Sequence, residues 1–96
     1  MDKLRVLLVG VGGFGRNWWT LLPQRPWVEV AGLVDPVKEA LDGGGEALGV
    51  PASRRFGDLK EALDGVEADL AIQNTPPHLR LAHARQILPR GLHMLT

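Results

Sequence analysis

Val6-Leu7-Leu8-Val9-Gly10-Val11-Gly12-Gly13-Phe14-Gly15 is the stretch that decides the fold. A short apolar run feeds directly into Gly-x-Gly-x-x-Gly, and Arg16-Asn17-Trp18-Trp19 continues it. Each glycine of that pattern has a physical role. Gly10 ends a strand in a tight turn, Gly12 leaves the backbone bare for an approaching phosphate, and Gly15 lets the next helix pack against the strand. The helix start then offers unpaired backbone N–H groups and the positive end of its dipole to an anion. Asp35 closes a second apolar run 20 residues past Gly15, where an acidic side chain can accept the hydroxyls of an adenosine ribose. Strand, glycines, helix and acid together predict a dinucleotide site.

Outward from this stretch, apolar runs and Gly/Pro punctuation predict an alternation of strands and helices. The first strand is expected at Leu4–Val9 and the first helix at Gly13–Leu22, with Phe14, Trp18 and Leu22 on a core-facing stripe and Pro23 and Pro26 ending it. Trp18 and Trp19 read as packing residues, although two adjacent tryptophans cannot both face one core. A second strand is expected at Trp27–Val34. Asp35-Pro36 can also serve as a helix cap followed by proline at the first helical position, a role compatible with the ribose binding that the spacing from the glycines favours. A helix over Pro36–Leu48 should carry Val37, Leu41 and Leu48 on one face. Gly43-Gly44-Gly45 in its middle costs about 3 kcal/mol relative to alanine, which predicts a break there.

Gly49-Val50-Pro51 reads as a turn and Ser53–Phe56 as an edge strand with Arg54 and Arg55 as charged edge residues. Asp58 with Glu61 three residues on reads as a capping box for a short helix that Gly65 stops. Further on come a strand at Asp69–Asn74, the turn Thr75-Pro76-Pro77-His78, a helix over Pro77–Leu88 and a last strand at Leu92–Thr96. In that helix Leu79, Ala82 and Ile87, with Leu81, Ala84 and Leu88, make a wide apolar stripe. The pattern predicts a single α/β domain over residues 1–96, a Rossmann-type doubly wound parallel sheet with strand order 3-2-1-4-5. Gly10–Gly15 and Asn74–His78 would then open into one crevice at the switch point.

Composition excludes several alternatives. The 96 residues carry 11 basic and 11 acidic side chains with no basic block, so neither nucleic acid nor an acidic membrane is the expected partner. No apolar run is long enough to span a bilayer or serve as a signal peptide. The absence of cysteine removes disulfide and thiol chemistry and fits a cytoplasmic location. His78 and His83 are five apart, a spacing unsuited to a shared metal, and His93 lies on another element.

Taken together, Gly10-Val11-Gly12-Gly13-Phe14-Gly15, Val34-Asp35-Pro36, Gly49-Val50-Pro51, Phe56-Gly57-Asp58, Asn74-Thr75-Pro76-Pro77 and Gly91-Leu92-His93-Met94-Leu95 give the chain a resemblance. It resembles the N-terminal cofactor domain of the glucose–fructose oxidoreductase / inositol dehydrogenase (Gfo/Idh/MocA) family over essentially its whole length. The resemblance implies NAD(P) binding, with backbone groups of Gly13 and Phe14 at the pyrophosphate and Thr75 and Pro76 beside the nicotinamide-side ribose. Asn74 and His78, at the same crevice, complete the candidate cofactor-binding set. Three departures stand out. Trp18 and Arg80 replace histidines usual in the family, and the family's Glu-Lys-Pro, whose lysine is catalytic, would follow only after Thr96. The expected function is therefore a dinucleotide-binding domain of an oxidoreductase, truncated before that motif and inactive alone, with NAD preferred over NADP. A stand-alone NAD(H) sensor and a ligand-free remnant are the competing readings. Self-association as a dimer is expected, with Trp18, Trp19 and Trp27 as candidate anchors.

Overall fold

The structure, a computed structural model, describes residues 3–95, the side chain of Phe14 apart. The expected end of the last strand at Thr96 and the place of the Phe14 side chain lie outside that description. β1 (Leu4–Val9) forms the centre of a five-stranded parallel sheet, with β2 (Val28–Val34) and β3 (Arg55–Phe56) on one side and β4 (Leu70–Gln73) and β5 (His93–Leu95) on the other. The order is β3-β2-β1-β4-β5, as the sequence predicts. Val6 and Leu8 point to one face, where they meet Leu22, just past α1 (Asn17–Leu21), and Ala40 and Leu41 of α2 (Lys38–Leu48). Leu7 and Val9 point to the other, against α3 (Leu59–Gly65) and α4 (Pro77–Ile87) through Leu59, Ala62 and Ile87. A strand buried on both faces must be apolar at every position, and from Val6 to Val9 none is more than 1 % exposed.

The pairing of β1 with β2 shifts register once: Val6 faces Val30, but Leu7 faces Gly32. The extra residue, Ala31, puts Val28, Val30 and Leu33 in one apolar cluster despite their broken alternation. A side chain at Gly32 would begin 3.2 Å from Leu7 and 3.3 Å from the Arg54 carbonyl, a tight fit that its neighbours would have to yield to.

Several elements depart from the sequence reading. The chain after the glycine motif enters as a 3-10 turn (Gly13–Arg16), becomes α-helical only for Asn17–Leu21, and ends in a second 3-10 turn at Leu22–Gln24. α2 starts at Lys38 because the Asp35 carboxylate holds the Val37 N–H at 2.9 Å and keeps Val37 extended. Val37 is thereby 55 % exposed and leaves the apolar face assigned to it.

The expected break at Gly43-Gly44-Gly45 does not occur, and α2 runs through all three. A Cβ at Gly43 would stand 2.9 Å from the Trp19 ring, one at Gly44 would overlap Val11 Cγ1, and one at Gly45 would overlap the Arg55 guanidinium. The packing that glycine admits offsets its weak helix propensity. Trp19 lies on this bare backbone and donates its indole N–H to the Val11 carbonyl at 3.0 Å. Arg55 is no solvent-facing edge residue either. It donates to the Val50 carbonyl at 2.9 Å and contacts Asp42 at 3.4 Å, with 18 % of its side chain exposed. The edge strand itself shrinks to two residues, because Ala52–Arg54 form a 3-10 turn.

The Asp58 cap forms as predicted, accepting from the Glu61 N–H at 3.3 Å. α4 differs more. Of its residues only Ile87 is fully buried, while Leu79, Leu81 and the following Leu88 are exposed. The wide stripe is thus mostly a surface of the described structure.

Candidate functional site

β1 and β4 are neighbours whose following connections leave the sheet on opposite faces, and a crevice of about 1170 Å³ opens at their carboxyl ends. This is the position at which doubly wound sheets take ligands. Its walls include Gly10, Gly12, Gly13, Trp18, Asp35, Pro36, Gly57, Asp58, Gln73, Asn74, Thr75, Pro76, Arg80 and His83. The volume suits a ligand of dinucleotide size.

Gly10 turns the chain out of β1 at φ +89, and its N–H donates to the Val34 carbonyl at 2.8 Å. A side chain there would also sit 3.1 Å from the Asn74 carbonyl carbon, so conformation and close approach both call for glycine. Gly15 lies against the Gly10 carbonyl, where a Cβ would overlap it. Gly13 lines the crevice, and nothing lies within 4 Å of the point where its side chain would start. The open space sits at the head of the 3-10 turn, whose first N–H groups have no acceptor within the turn. This bare, donor-rich backbone fits a phosphate.

Asp35 is 8 % exposed and organises the loop from below. Its Oδ2 accepts from the Val11 N–H at 2.9 Å and the Gly12 N–H at 3.1 Å, and Oδ1 accepts from Val37. A carboxylate has about four acceptor positions, so three bonds leave about one unspent on a residue that lines the crevice. The cap role foreseen for Asp35 takes a different form: the residue ahead of α2 is Val37, and Pro36 lies outside the helix.

Asn74 joins the two halves of the switch point. Its Nδ2 donates to the Gly10 carbonyl at 3.3 Å, and its Oδ1 accepts the Trp18 indole N–H at 3.0 Å. The two tryptophans thus part company: Trp18 turns to the crevice and Trp19 to the glycines of α2. Thr75 Oγ1 lies 3.4 Å from His83 Nδ1, and Arg80 Nε donates to the Thr75 carbonyl at 3.4 Å. Burial pushes the His83 pKa down, opposed in part by the charge of Asp58. Gln73 is 2 % exposed and donates to the Arg80 carbonyl at 3.3 Å, but its Oε1 has no hydrogen-bond partner among the described residues. An unmet buried carbonyl costs about 1–3 kcal/mol.

Of the residues nominated from sequence, Gly10, Gly12, Gly13, Asp35, Asn74, Thr75 and Pro76 meet at the crevice. Gly15 stands behind the loop. His78 is exposed on the first turn of α4 and is not among the crevice residues, whereas His83, a turn further on, is. Trp18, Gln73 and Asp58 were not nominated. For Gln73 the available signal was a polar residue two positions from Ala71, on the same face of an otherwise apolar strand.

The chain matches the model of an oxidoreductase family with an NAD-binding Rossmann fold, GFO_IDH_MocA, over residues 4–96. It is 40 % identical over 96 residues to the uncharacterized protein y4oX of Sinorhizobium fredii and spans 27 % of that protein's length. Among solved structures, WlbA dehydrogenase from Bordetella pertussis, in complex with NADH and UDP-GlcNAcA, superposes with a TM-score of 0.85 at 28 % identity. That likeness covers 97 % of this chain and 28 % of WlbA. Scyllo-inositol dehydrogenase from Lactobacillus casei, with bound NAD(H) and scyllo-inositol, shares the fold with a TM-score of 0.87 at 20 % identity, over 97 % of this chain and 27 % of that one. With a family match over nearly its full length and the same fold around a glycine-lined crevice, the chain belongs to the Gfo/Idh/MocA oxidoreductase family as its NAD-binding Rossmann domain.

Proposed function

We propose that these 96 residues hold NAD(H), in preference to NADP(H), for a dehydrogenase reaction whose other catalytic groups lie outside them. The observation that carries the reading is Asp35, which lines the crevice, accepts from the glycine loop and keeps about one acceptor position unspent. In this reading the backbone N–H groups of Gly13 and Phe14 hold the pyrophosphate, Gly10, Gly12 and Gly15 shape the loop around it, and Asp35 takes the adenosine ribose. Asn74, Thr75 and Pro76 flank the nicotinamide-side ribose. His83 rather than His78 completes the set, because only His83 borders the crevice. The nicotinamide, once bound, supplies hydride chemistry, and the chain supplies position and field.

The preference follows from charge. A ribose hydroxyl donates to the Asp35 carboxylate, whereas a 2′-phosphate would meet like charge, worth about 4 kcal/mol at 4 Å with an effective dielectric of 20. Lys38 is exposed at the start of α2 and offsets little of this. Parallel titrations with NADH and NADPH, read by protein fluorescence, test the reading. NADH should bind at least about tenfold tighter, and equal or reversed affinities would overturn it.

Hydride transfer also needs an acid or base within hydrogen-bond reach of the reacting oxygen. The family's lysine has no counterpart among these residues. Incubated with NAD and a panel of polyols and sugars, the chain should therefore produce no catalytic NADH. We further infer self-association through the exposed leucines of α4 and β5.

A further inference from the structure

The peptide group between Gly10 and Val11 is held at both ends by side chains. Its carbonyl accepts from Asn74 Nδ2 at 3.3 Å, and its N–H donates to Asp35 Oδ2 at 2.9 Å. This peptide opens the glycine loop and sets the direction of the backbone groups that follow. Glycine on one side, at φ +89, leaves it freer to rotate than most. A half-turn would exchange its two ends, so that Asp35 would face an oxygen.

Asn74 holds the Gly10 carbonyl in only one of its two amide orientations. Turned over, the amide would set Oδ1 against the Gly10 oxygen. Trp18 removes that choice. Its indole N–H only donates and lies 3.0 Å from Asn74, so Oδ1 must face Trp18 and Nδ2 must face Gly10. Trp18 stands on α1, Asn74 follows β4, Gly10 follows β1 and Asp35 follows β2, so the relay crosses the switch point. All four residues line the crevice.

We propose that Trp18 is a positioning residue for the cofactor loop: through Asn74 it fixes the peptide between Gly10 and Val11 and so keeps the N–H groups of Gly13 and Phe14 placed for the pyrophosphate. The inference rests on the dinucleotide reading and requires no contact between Trp18 and the ligand.

Two substitutions on the full chain test it. Trp18→Phe keeps an aromatic ring without the N–H, and Asn74→Leu keeps the shape without the amide. Each should weaken ADP about fivefold, the size of one net hydrogen bond. The double variant should bind ADP no more weakly than either single one, because the two residues act in series. ADP lacks the nicotinamide-side ribose that Asn74 flanks, so a direct contact there does not enter. Adenosine, which has no phosphate, should bind all four proteins alike. Amide exchange gives a readout without ligand: the Val11 N–H should exchange faster in Trp18→Phe while that of Leu8 in β1 keeps its rate. Additive losses, an equal loss for adenosine, or Leu8 exchange rising with Val11 would make Trp18 a packing residue and overturn the inference. If wild type binds NADH and Trp18→Phe binds ADP as well as wild type does, only this inference falls. If wild type does not bind NADH, the dinucleotide reading falls and takes this one with it.

Discussion

Asp35 shows how one side chain serves loop and ligand together. Its carboxylate takes the N–H groups of Val11, Gly12 and Val37, three donors from two segments. Asp35→Ala leaves them without an acceptor in a largely buried place, and each such group costs about 1–3 kcal/mol where water cannot reach it. Water can reach the crevice side, so the expected loss of stability is about 2–4 kcal/mol, measured by urea unfolding. Asp35→Asn, which keeps an acceptor oxygen, should lose less than half as much. An alanine variant as stable as wild type would show that the loop holds itself. Of the site, the glycines and Asp35 were legible because their spacing is a local property of the sequence. That His83 and not His78 borders the crevice was not, since it depends on which side of α4 meets β4. The bonding state of Gln73 was hidden for the same reason: burial and partners are tertiary facts.

At the scale of elements, α2 sets local propensity against packing. Gly44→Ala gains about 1 kcal/mol of helix propensity. Its Cβ would overlap Val11, which is fully buried beside the sheet and cannot move aside. Overpacking of this kind costs about 1–3 kcal/mol, so the net change should be a loss of up to about 2 kcal/mol. Gly45→Ala meets only the end of the Arg55 side chain, which can swing away. There the propensity gain and the lost Arg55–Val50 hydrogen bond should nearly cancel. Thermal unfolding of the two variants checks the order, and Gly45→Ala as the worse of the pair would refute it. The same contest marks what sequence reading could reach. Strand order, the Asp58 cap and the turn at Gly49 follow from apolar runs and local punctuation, and the structure has them. The unbroken α2 depends on Trp19, 24 residues away, and the inward Arg55 depends on the room that Gly45 leaves. No local rule reports such contacts.

Across the whole molecule, two ion clusters tie distant segments. Arg5 meets Asp69 and Glu67 at 3.0 Å each, and Arg90 meets Asp64 at 2.7 Å. Hydrogen bonds from Arg5 hold the Asp69 carboxyl below its usual 3.8, and those from Arg90 and then Lys60 do the same for Asp64. A depressed carboxylate binds its proton less readily folded than unfolded, so its contribution is present above pH 3.8 and fades as pH falls below it. Arg5→Met should flatten the loss of stability with acid below about pH 4, read from urea midpoints at stepped pH. An unchanged acid profile would rule the pair out as a contributor.

Association belongs to this scale too. Trp18 and Trp19 are engaged inside the molecule, and Trp27, 56 % exposed, is the tryptophan that remains at the surface. The larger apolar surface lies elsewhere. Leu81 and Leu88 are 63 % and 58 % exposed and seven residues apart, so they share one side of the last helical segment. Leu95, 46 % exposed, lies on β5, which pairs with β4 alone among the described strands. A bare strand edge beside exposed leucines favours pairing with a second copy, most simply about a two-fold axis. The formal net charge of zero provides no long-range repulsion against it. Light scattering over a wide concentration range should show a dimer. Leu81→Glu with Leu88→Glu should shift it to monomer without lowering the thermal midpoint, because neither side chain supports the core. A wild-type chain that stays monomeric at the highest concentration, or a double variant that associates as well as wild type, would remove α4 as the contact.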